Sequence, residues 1–191
     1  SGWVAETAGR PETGTETFVE VAPPMGELYA NPAASQAMLD DAMFDVEGWL
    51  AGEIGAEFAR AEGSAFVSGT GIGRPRGFLA YATAATDDTT RPFGTLQYVA
   101  SGAAGAFAAA SPQDKLIDLV HALRAPYRQG ASWVMNASTL AKVRKMKDGQ
   151  GQFLWAPSLS ADTPATLLGY PVIEAEAMPD VGVDSLSIAF G

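Results

Sequence analysis

Apolar residues recur at steps of three and four over residues 35–66 of the chain. This spacing places them on one face of a helix with 3.6 residues per turn, and it predicts a single amphipathic helix over that range. Ser35 is the expected N-cap, because its hydroxyl can accept a hydrogen bond from the first turn. At ~1.5 Å per residue such a helix is roughly 45 Å long, which suits a scaffold element. The apolar positions are Leu39, Met43, Val46, Leu50, Ile54, Phe58, Ala61 and Ala65.

A stripe of small residues runs along the same predicted helix, beside the apolar face. It consists of Gly48, Gly52, Gly55 and Ala59. Glycine inside a helix costs about 1 kcal/mol relative to alanine. Three glycines on one side therefore predict that another backbone approaches closely there. The alternative is that small residues are simply tolerated at these positions.

Three alternating glycines, Gly69, Gly71 and Gly73, follow this helix within the sequence GTGIGRPRGF. A dinucleotide-binding fingerprint follows a strand and opens a helix, whereas these glycines come after a helix. A phosphate-binding P-loop needs a Gly-Lys-Ser/Thr ending, which this segment lacks. We therefore interpret the segment as the end of the helix followed by a turn.

The second half of the chain alternates short extended segments with helices. A second helix is predicted over residues 111–127, with Ser111 as its N-cap and Pro112 at its first position. A third helix follows, capped by Asn136 or Ser138. The predicted strands span residues 93–99, 131–135, 152–155, 166–176 and 185–190.

The net charge of −10 is concentrated towards the N-terminus. Residues 1–62 hold twelve Asp and Glu against two Lys and Arg, whereas residues 63–191 hold ten of each kind. Such an acidic surface repels the phosphates of nucleic acid and suits either a basic protein partner or solubility. The 191 residues, 47% of them hydrophobic and 18% charged, suffice for one domain with a sizeable core or for two small lobes.

Composition also excludes several classes of protein. The absence of cysteine excludes a disulfide scaffold and thiolate chemistry, and it fits a cytosolic protein. No apolar run reaches the ~18 residues of a membrane span, and no signal peptide is visible at Ser1. Strand-like segments lie close to both ends of the chain, so we expect it to be a fragment of a longer protein.

Few side chains are candidates for catalysis. His121, the only histidine in the sequence, falls with Asp114 and Asp118 on the polar side of its predicted helix. A solvated surface histidine is the simpler interpretation, and a catalytic base near Asp118 is the alternative. The adjacent carboxylates at residues 40–41 and 87–88 are poorly placed to share a proton, because neighbouring side chains on a helix diverge by about 100°. With no catalytic or metal-binding pattern present, we predict no catalytic, cofactor-binding or metal-binding residue.

A basic cluster lies in the later turns of the third helix, where cations interact favourably with the helix dipole. It lacks the interleaved aromatic residues typical of many nucleic-acid-binding surfaces. Contact with nucleic acid, contact with an acidic protein surface, and simple solvation remain open. The cluster consists of Lys142, Arg144, Lys145 and Lys147.

Five segments, taken in order, carry a resemblance to a known family. They are WVAE (3–6) with ETF (16–18), LDDA (39–42), EGSAFVSGTGIGRPRGFL (62–79), WVMN (133–136) with KMKDGQGQFLWAP (145–157), and LLGYPV (167–172) with MPD (178–180). In this order and spacing they resemble the major capsid protein of tailed phages of the Hong Kong 97 type. Similar subunits form prophage-derived gene transfer particles. The match covers nearly the whole chain, and the order of the segments is more specific than any one of them.

The resemblance implies an α+β fold of the Hong Kong 97 type, with a long spine helix, a peripheral domain, an axial domain and a partial extended loop. Residues 1–18 would be the return strand of the extended loop. Residues 19–130 would be the peripheral domain, with the spine helix at 35–66 and a second helix at 111–127. Residues 131–191 would be a truncated axial domain. The segments that carry cross-linking residues in some members have no counterpart here, so no cross-link site is expected.

The same resemblance implies a structural, non-enzymatic role and no cofactor. Copies would form hexamers and pentamers that tile an icosahedral phage head around double-stranded DNA, assembled in the bacterial host cytoplasm. The expected partners are neighbouring capsid subunits, a scaffold, protease and portal during assembly, and packaged DNA without sequence-specific contact, but no membrane. One alternative is an encapsulin-like compartment that holds protein cargo. The other is an acidic hydrolase that uses Asp114, Asp118 and His121, or Glu174, in a cleft.

Overall fold

The core is built on a mixed β-sheet in the C-terminal half of the chain. The structure, a computed structural model, describes residues 18, 20–24, 26–33, 43–147, 151–153, 155 and 166–191. Its elements mix helix and sheet. In chain order they are α1 (Val46–Ser68), a 3₁₀ helix (Phe78–Ala80), β1 (Thr83–Ala84), β2 (Leu96–Gln97), β3 (Gly102–Ala103), β4 (Ala106–Phe107), α2 (Asp114–Ala122), a second 3₁₀ helix (Ala125–Tyr127), β5 (Trp133–Met135), α3 (Ala137–Arg144), β6 (Thr166–Leu167), β7 (Tyr170–Glu174) and β8 (Ile188–Phe190).

Among the described residues, the strands of this sheet lie in the order β6-β7-β5-β8. The central strand β5 runs parallel to β7 and antiparallel to β8. β6 and β7 form a hairpin, so the predicted strand at 166–176 is two strands joined by a turn. The turn residues Leu168 and Gly169 have positive φ angles of 52° and 84°. Two positive φ angles are typical of the type I′ turn, whose twist matches that of the flanking strands.

Trp133 and Met135 lie at the centre of the core and are fully buried. They share one face of β5 because side chains alternate along a strand. The Trp133 indole nitrogen donates a hydrogen bond to the Leu167 backbone oxygen at 2.9 Å, so its polar atom is satisfied inside the core. The buried residues that complete this cluster come from α2, α3 and their neighbours: Leu116, Val120, Leu140, Val143, Met146 and Leu167.

The first helix begins later than the apolar pattern predicts. Met43 and Phe44 form a bend, and the Asp45 backbone is extended, with φ −71° and ψ 94°. The Asp45 carboxylate accepts a hydrogen bond from the Gly48 backbone nitrogen at 2.9 Å, so Asp45 is the N-cap of α1.

The prediction of one continuous helix over residues 35–66 is therefore wrong at residues 43–45. Ser35, the expected cap, lies outside the described residues, as do all of residues 34–42. The 23 residues of α1 make a rod about 34 Å long, shorter than the rod that the pattern predicts.

α1 ends at Gly69, as the sequence predicts. The Gly69 backbone nitrogen donates to the Ala65 oxygen at 2.8 Å, and an antiparallel bridge between Thr70 and Arg76 closes the following turn. A side chain at Gly77 would collide with the backbone at the end of α1, so the return of the chain requires glycine there. The glycine-rich segment is thus a helix end and a turn.

The second helix is shorter than predicted and starts differently. Ser111 has a φ of 47°, outside the helical range, and it is the Ser111 backbone oxygen that accepts a hydrogen bond from Asp114. The predictions of Ser111 as N-cap and of the next residue, Pro112, at the first helical position are therefore wrong. α2 ends at Ala122 because the ring of Pro126 would clash with the carbonyl four residues earlier in a continuing helix.

Asn136 is the N-cap of α3, which resolves the choice between Asn136 and Ser138. Its side-chain oxygen accepts a hydrogen bond from the Thr139 backbone nitrogen at 2.8 Å. The other predicted strands are confirmed in shorter form: 93–99 contains β2, 131–135 contains β5 and 185–190 contains β8. Of the predicted strand at 152–155, Phe153 forms a bridge with Lys147, and residue 154 lies outside the described residues.

Candidate assembly surface

α1 exposes much of its apolar surface within the described part of the chain. It packs against the 3₁₀ helix Phe78–Ala80, and its only buried residues are Val46 and Val67, which lie near its two ends. Trp49 and Phe66 are 50% and 57% exposed. Large aromatic side chains exposed to this extent are candidates for an interaction surface, because their contact with water is unfavourable.

The predicted apolar face of α1 is only partly covered. Val46 is buried, Met43 is exposed, and Leu39 lies outside the described residues. The remaining members are half-buried, so the described residues leave part of this face open. They are Leu50, Ile54, Phe58, Ala61 and Ala65.

The small-residue stripe of α1 faces open space among the described residues. A side chain built at Gly52 or Gly55 would meet no atom within 4 Å, and the atoms nearest to one at Gly48 belong to the Asp45 side chain. The close backbone approach that the glycines predict is therefore not made by the described part of this chain. The stripe is left open to another segment or another molecule.

Exposed carboxylates accompany the apolar residues of α1. Glu57 pairs with Arg60 three residues later, and the hydrogen bond from Arg60 lowers the pKa of Glu57. Because both side chains are well exposed, this pair contributes little to stability. The acidic character of α1 that the sequence predicts lies on its surface: Glu47, Glu53, Glu57 and Glu62 are all exposed.

An open groove of about 1220 Å³ lies beside β8, the strand at one edge of the sheet in the described residues. Its walls come from β8, from the segment between β2 and β4, and from the inner side of α2. Much of its lining is apolar, including Leu96, Phe107, Leu119, Ile188 and Phe190. An edge strand beside an apolar groove offers both backbone hydrogen bonds and apolar contact to an added segment.

Asp88 ties the connection between β1 and β2 to the segment after α2. Its carboxylate pairs with Arg91 and, at 3.0 Å, with Arg124. Arg91 also donates to the Thr86 backbone oxygen and to Gln97, each at 3.1 Å. The neighbouring Asp87 instead accepts hydrogen bonds from the threonines at 89 and 90, and those hydroxyls lower its pKa. The two adjacent carboxylates therefore have separate structural partners and do not form a proton-sharing dyad.

The basic cluster at the end of α3 lies over aromatic rings. The Arg144 guanidinium lies 4.9 Å from the Trp155 ring centroid, and the Lys147 ammonium lies 4.8 Å from that of Phe153. Lys142 and Lys145 are exposed. The sequence shows the cluster but not this stacking, which depends on how the chain returns after residue 150.

The residues of the hydrolase alternative do not converge in a cleft. Asp114, Asp118 and His121 share one exposed face of α2, where Asp118 pairs with Lys115 at 2.9 Å. Glu174 is exposed at the end of β7, opposite Met135 of β5. None of these four residues lines the groove. Their arrangement is that of solvated surface charges, and it offers no enclosed position for a substrate.

Two further properties of the described residues bear on function. They contain no group of three or more His, Asp or Glu side chains placed to hold a metal ion. None of the helices in this part of the chain combines the length and the apolar composition that a membrane span requires.

The contacts that the sequence did not reveal are long-range ones. The Asn136 side-chain nitrogen donates to the Met178 backbone oxygen at 3.0 Å and to Asp180 at 2.8 Å. The pairing of Asp88 with Arg124 likewise joins residues far apart in sequence. No local spacing signals such pairs, because they depend on which strands become neighbours.

Comparison with known proteins gives a consistent family assignment. The family described as "Phage capsid family" matches this chain over residues 1–191. A comparison with curated proteins finds no match.

Two solved structures are similar to the whole chain. One is the capsid of an empty GTA particle, with 51% identity and a TM-score of 0.87; the other is the capsid of a native GTA particle, with 51% identity and a TM-score of 0.89. Both were computed with C5 symmetry. Each match covers 100% of this chain but only 63% and 64% of the other chain. This chain thus spans somewhat less than two thirds of the length of the capsid chains it matches.

Proposed function

Because the chain belongs to the phage capsid family, we propose that the protein containing it is a structural shell subunit. Copies of it assemble into hexamers and pentamers, and these tile an icosahedral head of a phage, prophage or gene transfer particle. The observation that carries this proposal is the 51% identity to the GTA capsid chains over the full length of this chain. At that identity both the fold and its manner of use are commonly shared.

The surface of the chain supports this role. The exposed aromatic residues Trp49 and Phe66 of α1, its open glycine stripe, and the apolar groove beside β8 leave apolar surface uncovered. A shell subunit covers such surface with the rest of its own chain and with its neighbours. A monomeric enzyme of this size would instead be expected to enclose a polar site in a pocket.

We assign the parts of the chain to the domains of such a subunit as follows. Residues 1–18 belong to the return strand of the extended loop, and residues 19–130 belong to the peripheral domain. Residues 131–191 belong to the axial domain, which gathers around the axis of each capsomer. The core around Trp133 supports the axial domain, because β5 to β8 and α3 bury apolar residues together there. Leu116 and Val120 of α2 also pack into this core, so α2 lies at the boundary between the two proposed domains.

The partners follow from the same role. They are neighbouring copies, a scaffold, protease and portal during assembly in the bacterial host cytoplasm, and double-stranded DNA enclosed without sequence-specific contact. The net charge of −10 supports the view that the shell encloses DNA without binding it tightly, because the acidic protein and the phosphates repel each other. The protein is then a component of the mature particle.

The proposed subunit is not an enzyme. The exposed positions of Asp114, Asp118, His121 and Glu174 support this, as they provide neither enclosure nor a paired acid and base. An encapsulin-like compartment would use the same kind of shell subunit but would enclose protein cargo. The GTA capsids among the similar structures favour a particle of the phage type.

The content of purified particles tests this function. Particles formed by the full-length protein, together with the gene products encoded beside it, are treated with nuclease and then opened. We expect nuclease-protected double-stranded DNA inside shells seen by electron microscopy. Shells that hold a single protein cargo and no nucleic acid would establish the compartment instead, and the absence of any shell would contradict both.

A further inference from the structure

The unit formed by the sheet and α3 carries a group of carboxylates at one end and a group of cations at the other. The acidic end comprises four exposed carboxylates, at the last residue of β7 and in the segment after it: Glu174, Glu176, Asp180 and Asp184. The basic end comprises three cations at the end of α3: Arg144, Lys145 and Lys147. Of the acidic end, Asp180 accepts a hydrogen bond from Asn136.

Backbone contacts place the acidic end at the N-terminus of α3. The Ala175 backbone nitrogen donates to the Met135 oxygen at 2.9 Å, just before α3 begins. Asn136, the N-cap of α3, donates to the Met178 oxygen and to Asp180. The segment after β7 therefore wraps the start of the helix.

The basic end lies at the other terminus of the same helix. α3 is eight residues long, so about 12 Å separates its two termini. Lys145 is its C-cap residue, and Lys147 follows over the Phe153 ring. The charges reinforce the helix dipole at both termini, since carboxylates lie near its positive end and cations near its negative end.

The charges of the two ends have no ion-pair partner within 4 Å among the described residues. The ion pairs of the described part of the chain join other residues, in α1, in α2 and around Asp88. Lys142, between the two ends, is close enough to Asp180 to contribute to lowering its pKa. Each end also has an exposed apolar residue next to it: Ile173, which is 51% exposed, precedes the acidic end, and Phe153, which is 60% exposed, lies at the basic end.

We propose that the basic end of one copy docks against the acidic end of the next copy around a capsomer. This inference rests on the proposed function, since it assigns a contact within the shell that function requires. A ring of identical subunits uses two different, complementary patches on each copy. Opposite charges at the two ends of one structural unit provide such a pair, and the adjacent apolar residues become covered on contact.

The occupant is a second copy rather than DNA. The acidic end repels phosphates, and the three cations of the basic end are matched by at least as many carboxylates on the same unit. Complementary charges chiefly set orientation and partner choice, because placing like charges together is strongly unfavourable. The contact would therefore fix the head-to-tail order of the ring.

Charge reversal in the full-length protein tests this contact. One variant carries Lys145→Glu and Lys147→Glu, which changes the basic end from three positive charges to one net negative charge; a second carries Glu174→Lys, Glu176→Lys and Asp184→Lys, which changes the acidic end from four negative charges to two net positive charges; a third carries all five changes. Capsomer formation is measured by light scattering and electron microscopy at about 0.1 M salt, where charges within ~10 Å still interact. Glu27→Lys with Asp118→Lys is the matched control, since both residues are exposed and lie outside the acidic end. Circular dichroism and melting temperatures verify that each protein is folded.

We expect the first and the second variant each to raise the protein concentration needed for rings by about tenfold or more, because like charges then meet in the contact. The third variant should regain assembly, because opposite charges again meet in the contact, and the control should assemble like the wild type. An equimolar mixture of the first two variants should form hexameric but not pentameric rings, because their copies must alternate.

If the first and second variants both assemble at the wild-type concentration, the proposed contact is overturned while the proposed function stands. Loss of assembly in the control, or in a folded third variant, would overturn it as well. A wild-type protein that forms no ring would instead contradict the proposed function itself.

Discussion

Asn136 joins three parts of the molecule through one side chain. Its oxygen caps α3 through Thr139, and its nitrogen donates to the Met178 backbone and to Asp180. The residue is buried, so each lost hydrogen bond leaves a partner that water cannot easily satisfy. It therefore fixes the start of α3 against the segment that follows β7.

Replacement of Asn136 should be strongly destabilising. Asn136→Ala loses the cap and both donors, and we expect a loss of about 2–4 kcal/mol in the free energy of unfolding. Asn136→Asp keeps the cap but places a carboxylate against Asp180, so it should also be destabilising at neutral pH. Urea denaturation measures both, with the exposed Ala137→Ser as control. An alanine variant within about 0.5 kcal/mol of the wild type would contradict this role.

Leu168 adopts a backbone conformation that is unfavourable for leucine. Its φ of 52° lies in the left-handed region, where asparagine is better tolerated. We expect Leu168→Asn to stabilise the protein by about 0.5–1 kcal/mol and the β-branched Leu168→Val to destabilise it. Thermal melting of the two variants decides the point, since stability changes of the same sign would contradict the turn geometry.

Asp180 should make stability depend on pH in the acid range. The hydrogen bond from Asn136, with further contributions from Ser138 and Lys142, lowers the pKa of Asp180 in the folded state. The stabilisation is therefore fully present above the unfolded pKa of about 3.9 and is lost as the pH falls through the folded pKa. The difference in melting temperature between wild type and Asp180→Asn should be constant above about pH 5 and shrink below pH 4. A difference that does not change with pH would refute the assignment.

At the scale of whole elements, the N-cap decides where α1 begins. The apolar spacing continues from Leu39 to Ala65 and carries no mark of the interruption at residues 43–45. A local competitor, the Asp45 carboxylate bonded to Gly48, starts the helix instead.

Changes at Asp45 test this start of α1. Asp45→Ala removes the acceptor and should cost about 1 kcal/mol of stability with some loss of helical circular dichroism. Asp45→Asn keeps an acceptor and should differ from the wild type by only a few tenths of a kcal/mol. Equal effects of the two substitutions would mean that the cap is not used.

The kinds of elements were more predictable than their limits. Periodicity correctly placed α1, α2, α3 and the C-terminal strands, because apolar spacing reports which face is buried. The predicted start of α2 is wrong because Ser111 adopts a positive φ and does not cap the helix. The acidic and basic ends could not be predicted as a pair from the sequence. Their positions depend on the pairing of β5 with β7 and on the contact of Lys147 with Phe153, which join residues far apart in the chain or across a turn.

For the whole molecule, the distribution of charge and of apolar surface matters more than any single site. Exposed carboxylates lie on α1, at the end of β7 and in the segment after it, while a cluster of cations lies at the end of α3. The groove beside β8 and the uncovered face of α1 require further chain or neighbouring copies to exclude water. Uncovered surface of this kind is consistent with a chain that matches 63% of the length of a GTA capsid chain.

The central claim, that the protein is a subunit of a shell, is tested most directly by the mass of the full-length protein in solution. Light scattering gives that mass as protein concentration rises, and negative-stain electron microscopy shows the form of the particles. We predict capsomer rings or closed shells, alone or together with the neighbouring gene products. A protein that stays monomeric at high concentration, with no rings under either condition, would contradict the account.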